Sequence, residues 1–515
     1  LWGLLVTSIL GIADPALVAP KAQTRSDLAA VLASGAREIT AGRIRAHMVV
    51  LADDSMEGRE TGTPGFDRAA AYVADQFRDQ GLRDIAGSYL QPMTIRRTRV
   101  DEDQSTLEIT RSGVPEALVY GRDFVTYGMR GPDILSVSGQ VVVIGDGVVV
   151  PGTDVDAYAT VDAVGKMALV LPGAPASLSS SQKSYYGSAD VKAAIAAAHG
   201  VTALLLIDEM QIPWDLRVAA TRQLGVNETL PATRSPAVPV IYLNRSTAER
   251  IMGRPLIGAA PLVGSTIASA RLAVRQVSRD VRSANVHALW PGADPTRARE
   301  HVLVVAHLDH VGVGIPLDGD AIYNGAVDNA SGVAAVLAIA RAFTRLPDRP
   351  ARSVIFLATT GEEQGLIGAD YFVRHAPVPI DSIVAAVNVD GTSVVPFDRL
   401  DIRGGSNSSL GTLADVAARQ MGLTAVHESV GVGGSDHSPF LLAGIPPLWI
   451  GATLTDDWMR TRYHTPRDDM NQPLDLVAAA RYAQFVFLTA HLAADATARP
   501  VWSPGEFFGT RRLAH

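Results

Sequence analysis

Apolar positions change their spacing twice along the chain. From 26 to 83 they recur at helical intervals, as over 69–81, where Ala70, Tyr72, Val73 and Phe77 fall near one face. A turn-rich stretch at 54–65 divides this region, with Ser55-Met56-Glu57-Gly58-Arg59 followed by Thr61-Gly62-Thr63-Pro64-Gly65. Its glycines and proline predict a tight, ordered loop between two helices. From about 113 the pattern shortens to β-branched runs at 140–144, 167–171, 201–207 and 238–243, separated by Gly, Pro and Asp, which predicts strands. One helix is predicted among them, over 189–199, with Gly200 placed as a C-terminal cap. This block ends near 272 and contains no cluster of metal-type side chains, so it is predicted to be a separate, small, β-rich domain.

After Asn285 strands alternate with longer helices: strand 302–306, helix 331–344, strand 354–358, helix 366–375, strand 383–389. That order predicts an α/β domain with a mixed, mostly parallel central sheet flanked by helices. Three times a buried strand hands the chain to a metal-type residue: His307, then Glu362 and Glu363, then Asp390. Open α/β sheets gather their active sites at this carboxyl end.

Composition narrows the chemistry. A chain of 515 residues, 47% apolar, buries a core easily and has room for two or more domains. A net charge of -8 with no basic run argues against a nucleic-acid partner. The absence of cysteine excludes disulfides, thiol nucleophiles and sulfur-ligated metal, so any metal must be held by His, Asp and Glu. Residues 1–13 form an uncharged apolar run followed by Pro15, Ala16 and Ala19. Over 1–25 this resembles an export-signal remnant without its basic start, and the expected location is periplasmic or secreted. No other stretch approaches the ~20 uninterrupted apolar residues of a spanning helix, so no membrane span is expected in the mature chain.

Each candidate residue also has an ordinary reading. In His307-Leu308-Asp309-His310 the spacing lets Asp309 accept the second ring N–H of a ligating His307. Asp328, just ahead of a helix, is also a plausible N-terminal cap, although its loop holds more polar residues and glycines than one cap requires. Glu362 and Glu363 resemble acids placed at a helix start, where the dipole favours them. They also supply what a two-metal hydrolytic site needs, one carboxylate for metal and one free to take a proton. Asp390 ends a strand and His464 lies in a turn before Pro466; either is readable as structural. Asp436 and His437, in a glycine-rich loop, rank as pocket wall rather than ligands.

The order His-x-Asp, Asp-Asn-x-Ser-Gly, Glu-Glu, Asn-x-Asp, Tyr-His-Thr resembles the di-zinc exopeptidases, a family that includes secreted bacterial aminopeptidases and glutamate carboxypeptidases. Glu57-Gly58-Arg59 and Thr61-Gly62-Thr63-Pro64-Gly65 resemble that family's early segment, and 113–272 resembles its protease-associated insert. The resemblance implies a zinc exopeptidase fold over 26–112 and 273–515, and two Zn2+ ions per chain. It makes His307 and Asp390 ligands of one ion, Glu363 and His464 ligands of the other, and Asp328 the bridge. Asp309 is implied to orient His307, Glu362 to be the general base, Tyr463 to be an oxyanion partner, and the Asp328–Asn329 peptide to be cis. The implied activity is removal of N-terminal residues from peptides by a metal-bridged hydroxide. A carboxypeptidase or dipeptidase, a glutaminyl cyclase and a non-catalytic binding protein stay open as alternatives. Arg403 and Arg462 are the nearest candidates for gripping a substrate carboxylate, and Phe440, Leu441, Leu448, Trp449 and Ile450 are readable as pocket or as core.

Overall fold

The structure, a computed structural model, describes residues 25–129, 132–208, 213–231, 238–392, 399–451 and 454–510. The signal remnant read over 1–25 lies outside these residues but for Arg25.

Two long strands connect the halves of the molecule. Leu90–Arg111 and Thr266–Trp290 pair antiparallel from Leu90 opposite Val286 to Thr110 opposite Ser269. Local spacing does not foretell this ribbon. Its β-branched residues alternate with Arg, Asp, Glu and Ser, one edge of the pattern stays in water, and the partner strand is remote in sequence.

At its carboxyl end Thr266–Trp290 runs antiparallel to Ser353–Thr359. Next come His301–His307, Ile383–Val389 and Pro447–Gly451, all mutually parallel, and then Arg399–Arg403 and Thr424–Glu428 at the edge. The sheet is thus mixed and mostly parallel, as the strand and helix alternation predicts. Both its faces are covered, which is why its strands read as unbroken apolar runs. Val302, Val304, Val354 and Phe356 face one core with the helices Pro64–Asp79, Ser331–Thr344 and Leu476–Asp495. Leu303, Val305, Ile355 and Leu357 face the other, against Phe372 and Phe440.

Two helical stretches, Ala326–Thr344 and Leu476–Asp495, are long and apolar enough to span a bilayer by composition, yet 94% and 78% of their most apolar windows are buried inside the fold. Their apolarity belongs to core helices enclosed on all sides.

In the smaller unit Ile134–Ile144, Met167–Val170, Ala203–Ile207 and Val240–Leu243 lie side by side with parallel pairing. They pack around cores of their own, one holding Leu169, Leu205 and Ile241, the other Ala168, Val170 and Leu204. Ile134–Ile144 also pairs with Thr266–Trp290, so one sheet runs through both units. The helix expected over 189–199 is present as Ala189–Ala198, with Gly200 at φ 72°. The strand-dominated expectation is corrected by three more helices, Ser180–Gly187, Trp214–Leu224 and Arg245–Met252. They run 8 to 11 residues, against 10 for Ala189–Ala198. The first and last carry visible punctuation, a Ser179 capping box and an Asn244 cap with a left-handed Gly253.

Candidate metal centre

Parallel pairing brings the first residues of the site together. His307 is the last residue of its strand, Asp390 follows the adjacent strand Ile383–Val389, and His307 Nε2 lies 3.3 Å from Asp390 Oδ1. Glu362 follows the neighbour on the opposite side, Ser353–Thr359, after a short turn. That turn is fixed from two directions. Thr61 Oγ1 accepts from Gly361 N at 2.9 Å, and from the ribbon Asn285 Oδ1 accepts from Thr360 N at 3.1 Å.

Asp328 sits in the loop 324–330, which opens with Gly325 at φ 58° and contains a cis Asp328–Asn329 peptide. Its side chain does not cap the following helix, which takes no side-chain cap. Instead Oδ1 lies 3.3 Å from His307 Nε2 and Oδ2 lies 3.2 Å from His464 Nε2, so the carboxylate spans the two imidazoles. Asn329 ties the loop to the Asp390 segment, donating to Val389 O and accepting from Gly391 N. Glu363 Oε2 is 3.0 Å from His464 Nε2. The sequence candidates therefore converge from five segments. Donor atoms of His307, Glu362 and Asp390 form one set, those of His310, Asp328, Glu363 and His464 a second, and within each set all atoms lie within 4.8 Å of one another.

The expected role of the Asp309 side chain is corrected. His307 Nδ1 meets the main-chain carbonyl of Asp309 at 3.1 Å, while the Asp309 carboxylate accepts the N–H groups of Glu362 and Glu363 at 3.1 and 3.3 Å. A two-residue step at a strand end brings the carbonyl back toward the ring and sends the side chain across to the glutamate turn. Burial pushes the Asp309 carboxyl up to about 7.

Three residues to which the sequence pattern assigns no role hold the site from behind. Arg59 is fully buried and donates to four main-chain carbonyls, those of Leu51, Leu308, Asn324 and Gly325. It thereby clamps the His307 segment to the Asp328 loop, and burial lowers it to about 10. Asp468 accepts from Val327 N and Asp328 N at 2.9 and 3.0 Å and is braced by Gln472, which in turn accepts from Trp458 Nε1. His310, wholly buried, approaches Glu363 Oε1 with Nδ1 at 2.8 Å. Its imidazole is visible beside Asp309 in the sequence, but only the fold shows which way it faces.

Electrostatics follow from crowding acids around imidazoles. Burial opposes charge on His307 and His464, yet Glu362 and Asp390 around the first and Glu363 and Asp328 around the second outweigh it and hold both well above the ordinary histidine range. Burial alone would raise Glu363, but His464 and the His310 hydrogen bond bring it down to about 2. Glu362 goes the other way: burial, then Glu363 and Asp390, raise it well above a normal carboxyl despite His307. Adjacent acids thus differ because one faces two imidazoles and the other faces acids.

A cavity of about 440 Å³ opens onto these groups, walled by Tyr463, Asp401, Arg403, Trp449, Leu454 and Met459 among others. Tyr463 is 41% exposed, and its ring stacks on His464 at 3.8 Å. Burial of its polar end and the nearby carboxylates hold its hydroxyl well above its ordinary value, so it remains a donor. Arg403 lies 4.1 Å over Trp449, whose ring also stacks on His437 at 4.8 Å. Arg462 is not on the wall and donates to Arg467 O. Of the apolar run only Trp449 lines the cavity; Phe440, Leu441, Leu448 and Ile450 are core. Asp436 is fully buried behind the wall and donated to by Thr359 Oγ1.

The donor set suits a hard or borderline cation such as zinc: imidazole nitrogen and carboxylate oxygen, no sulfur. Among the described residues none of Asp328, Glu362, Glu363 and Asp390 is ion-paired with Lys or Arg. His464 Nε2 lies near two carboxylate oxygens yet makes no hydrogen bond of acceptable geometry, as expected of atoms aimed at a common point rather than at each other.

Fold and site together define an α/β protein whose strand ends and adjoining turns present two groups of donors that could hold metal. Residues 285–490, which include every one of these donors, match Peptidase family M28. It is 32% identical over 182 residues to leupeptin-inactivating enzyme 1 of Streptomyces exfoliatus, covering 33% of this chain and 36% of that protein. It is 30% identical over 194 residues to aminopeptidase YwaD of Bacillus subtilis, covering 35% and 42%. The alignments thus span well under half the length of these relatives. An aminopeptidase structure from Aneurinibacillus sp. strain AM-1 shares the fold over 92% of this chain and 98% of its own, with a TM-score of 0.59 at 20% identity.

Proposed function

We propose that the chain is a zinc-dependent aminopeptidase that removes N-terminal residues from peptides. The observation that carries this reading is the convergence of His307, Asp328, Glu363, Asp390 and His464 into two donor groups at one cavity, lined by all of them but His464, with the Glu362 carboxylate beside them, held by no hydrogen bond or ion pair among the described residues. In it, His307 and Asp390 would hold one zinc ion, Glu363 and His464 another, and Asp328 would serve both. Bound there, the two ions would polarise the scissile carbonyl and acidify a water. Glu362, with its raised proton affinity, accepts the proton of the attacking water and passes it to the leaving amine. Tyr463 donates its O–H to the oxygen on which charge develops. Asp309 acts by fixing the main chain of both glutamates.

The names of the relatives support the aminopeptidase reading, as does an acid-rich cavity able to hold a substrate ammonium group. Arg403 on the wall favours the alternative, capture of a substrate carboxylate. It is partly engaged, over Trp449 and 3.4 Å from Glu428. We assign 26–112 and 273–515 to the peptidase domain and 113–272 to an inserted domain, supported by the insert's core around Leu169, Leu205 and Ile241, which Leu107, Ile109 and Val274 of the connecting ribbon join.

The test pairs zinc content with cleavage of free-amine and N-acetylated peptides. Two zinc ions per chain and chelator-sensitive release of N-terminal residues from free-amine peptides only are expected. Faster cleavage of blocked peptides from the carboxyl end would overturn the aminopeptidase assignment.

A further inference from the structure

His310 has no part in the mechanism above, although it lies at the centre. It is fully buried, its Nδ1 lies 2.8 Å from Glu363 Oε1 and 4.0 Å from Asp328 Oδ2, and its Nε2 is buried with no hydrogen-bond partner. A ring with one nitrogen on a carboxylate and the other without a partner is best accommodated as the Nδ1–H tautomer, because a buried N–H without an acceptor costs more than an idle lone pair. The Asp328 loop is shaped around this ring: a Cβ on Gly325 would stand 2.5 Å from His310 Cδ2 and Cγ. Glu363 thus has its two oxygens divided, Oε1 toward His310 and Oε2 toward His464 at 3.0 Å.

We propose that His310 is a positioning residue that donates Nδ1–H to Glu363 Oε1 and so reserves Oε2 for the metal shared with His464. The inference rests on the two-zinc reading of the centre. A carboxylate with one oxygen fixed has lost the freedom to rotate or to chelate through both oxygens, and such supporting hydrogen bonds typically govern metal affinity by ~10- to 100-fold.

The experiment measures zinc stoichiometry and affinity by chelator competition in wild type, His310→Ala and His310→Asn. In the Asn variant the amide nitrogen replaces Nδ1 as donor but no imidazole is left. Wild type should hold two zinc ions. His310→Ala should hold one of them ~10- to 100-fold more weakly, and His310→Asn should recover wild-type affinity to within about threefold. His310→Leu, which fills the space without a donor, replaces the Ala variant if that one does not fold. Unchanged affinity in the donor-less variant overturns the proposal, and so does failure of Asn to rescue, which would mark His310 as a direct ligand. Wild type that binds no zinc would instead defeat the reading of the centre itself.

Discussion

On one side of Asp328, His307 and Asp390 end neighbouring parallel strands, and the hydrogen bonds of the sheet set their separation. Even the second nitrogen of His307 is met by a main-chain carbonyl. On the other side Glu363 and His464 lie on turns, His464 at φ 52°, and their bracing comes from side chains: His310 behind Glu363, and Asp468 behind the loop of Asp328. The same kind of donor is therefore presented by backbone architecture on one side and by a chain of side-chain contacts on the other. A sheet-held ligand tolerates changes around it, whereas a side-chain-held ligand is only as fixed as its supports.

The largest effect that sharpens this contrast comes from the adjacent glutamates, which the turn sends to opposite sides. Glu362→Gln is expected to lower turnover by about a thousandfold or more, with zinc content unchanged by metal analysis. Glu363→Gln should lose zinc from the His464 side. Equal zinc loss in both variants would mean that the two acids do not have separate duties.

Arg59 joins the His307 segment to the Asp328 loop, and its removal should loosen both. Arg59→Met leaves four buried carbonyls without their donor, and a loss of about 4 kcal/mol in unfolding free energy is expected by denaturant titration. A loss under about 1 kcal/mol would show that the clamp is dispensable.

The smallest effect is the most discriminating. Asp468→Asn replaces one accepting oxygen beneath the Asp328 loop with a donor, and because Asp328 faces both sides it should weaken zinc on both by about tenfold. Weakening on the His464 side alone would show that the sheet holds its own ion without help from Asp328, and would widen the distinction.

Much of the centre was legible because strand ends announce themselves. A buried apolar run followed by His307, by Glu362 and Glu363, or by Asp390 has one outcome in an open parallel sheet: the residues meet at its edge. Asp328 and His464 were legible as residue types in glycine- and proline-bearing turns, though their directions were not. Asp309 shows where spacing misleads, since a His-x-Asp step is compatible with contact through the carboxylate or through the carbonyl. His310, Asp468 and Arg59 left no periodic or spacing signal, because their partners lie in other segments. The ribbon of Leu90–Arg111 and Thr266–Trp290 escaped for the same reason: a half-exposed strand rich in charge is recognisable chiefly by its remote partner.

The sequence by itself determined the layered α/β plan, the absence of sulfur chemistry, and the inventory of imidazoles and carboxylates from which a cation site is made. These depend on local period and on residue type, which are properties of short stretches. Only the tertiary structure decided which oxygen or nitrogen of each donor faces the cavity, and which buried arginine, aspartate and histidine keep it there. Those choices are made by contacts between residues far apart along the chain, where the cost of an unsatisfied buried group, rather than any local preference, selects the arrangement.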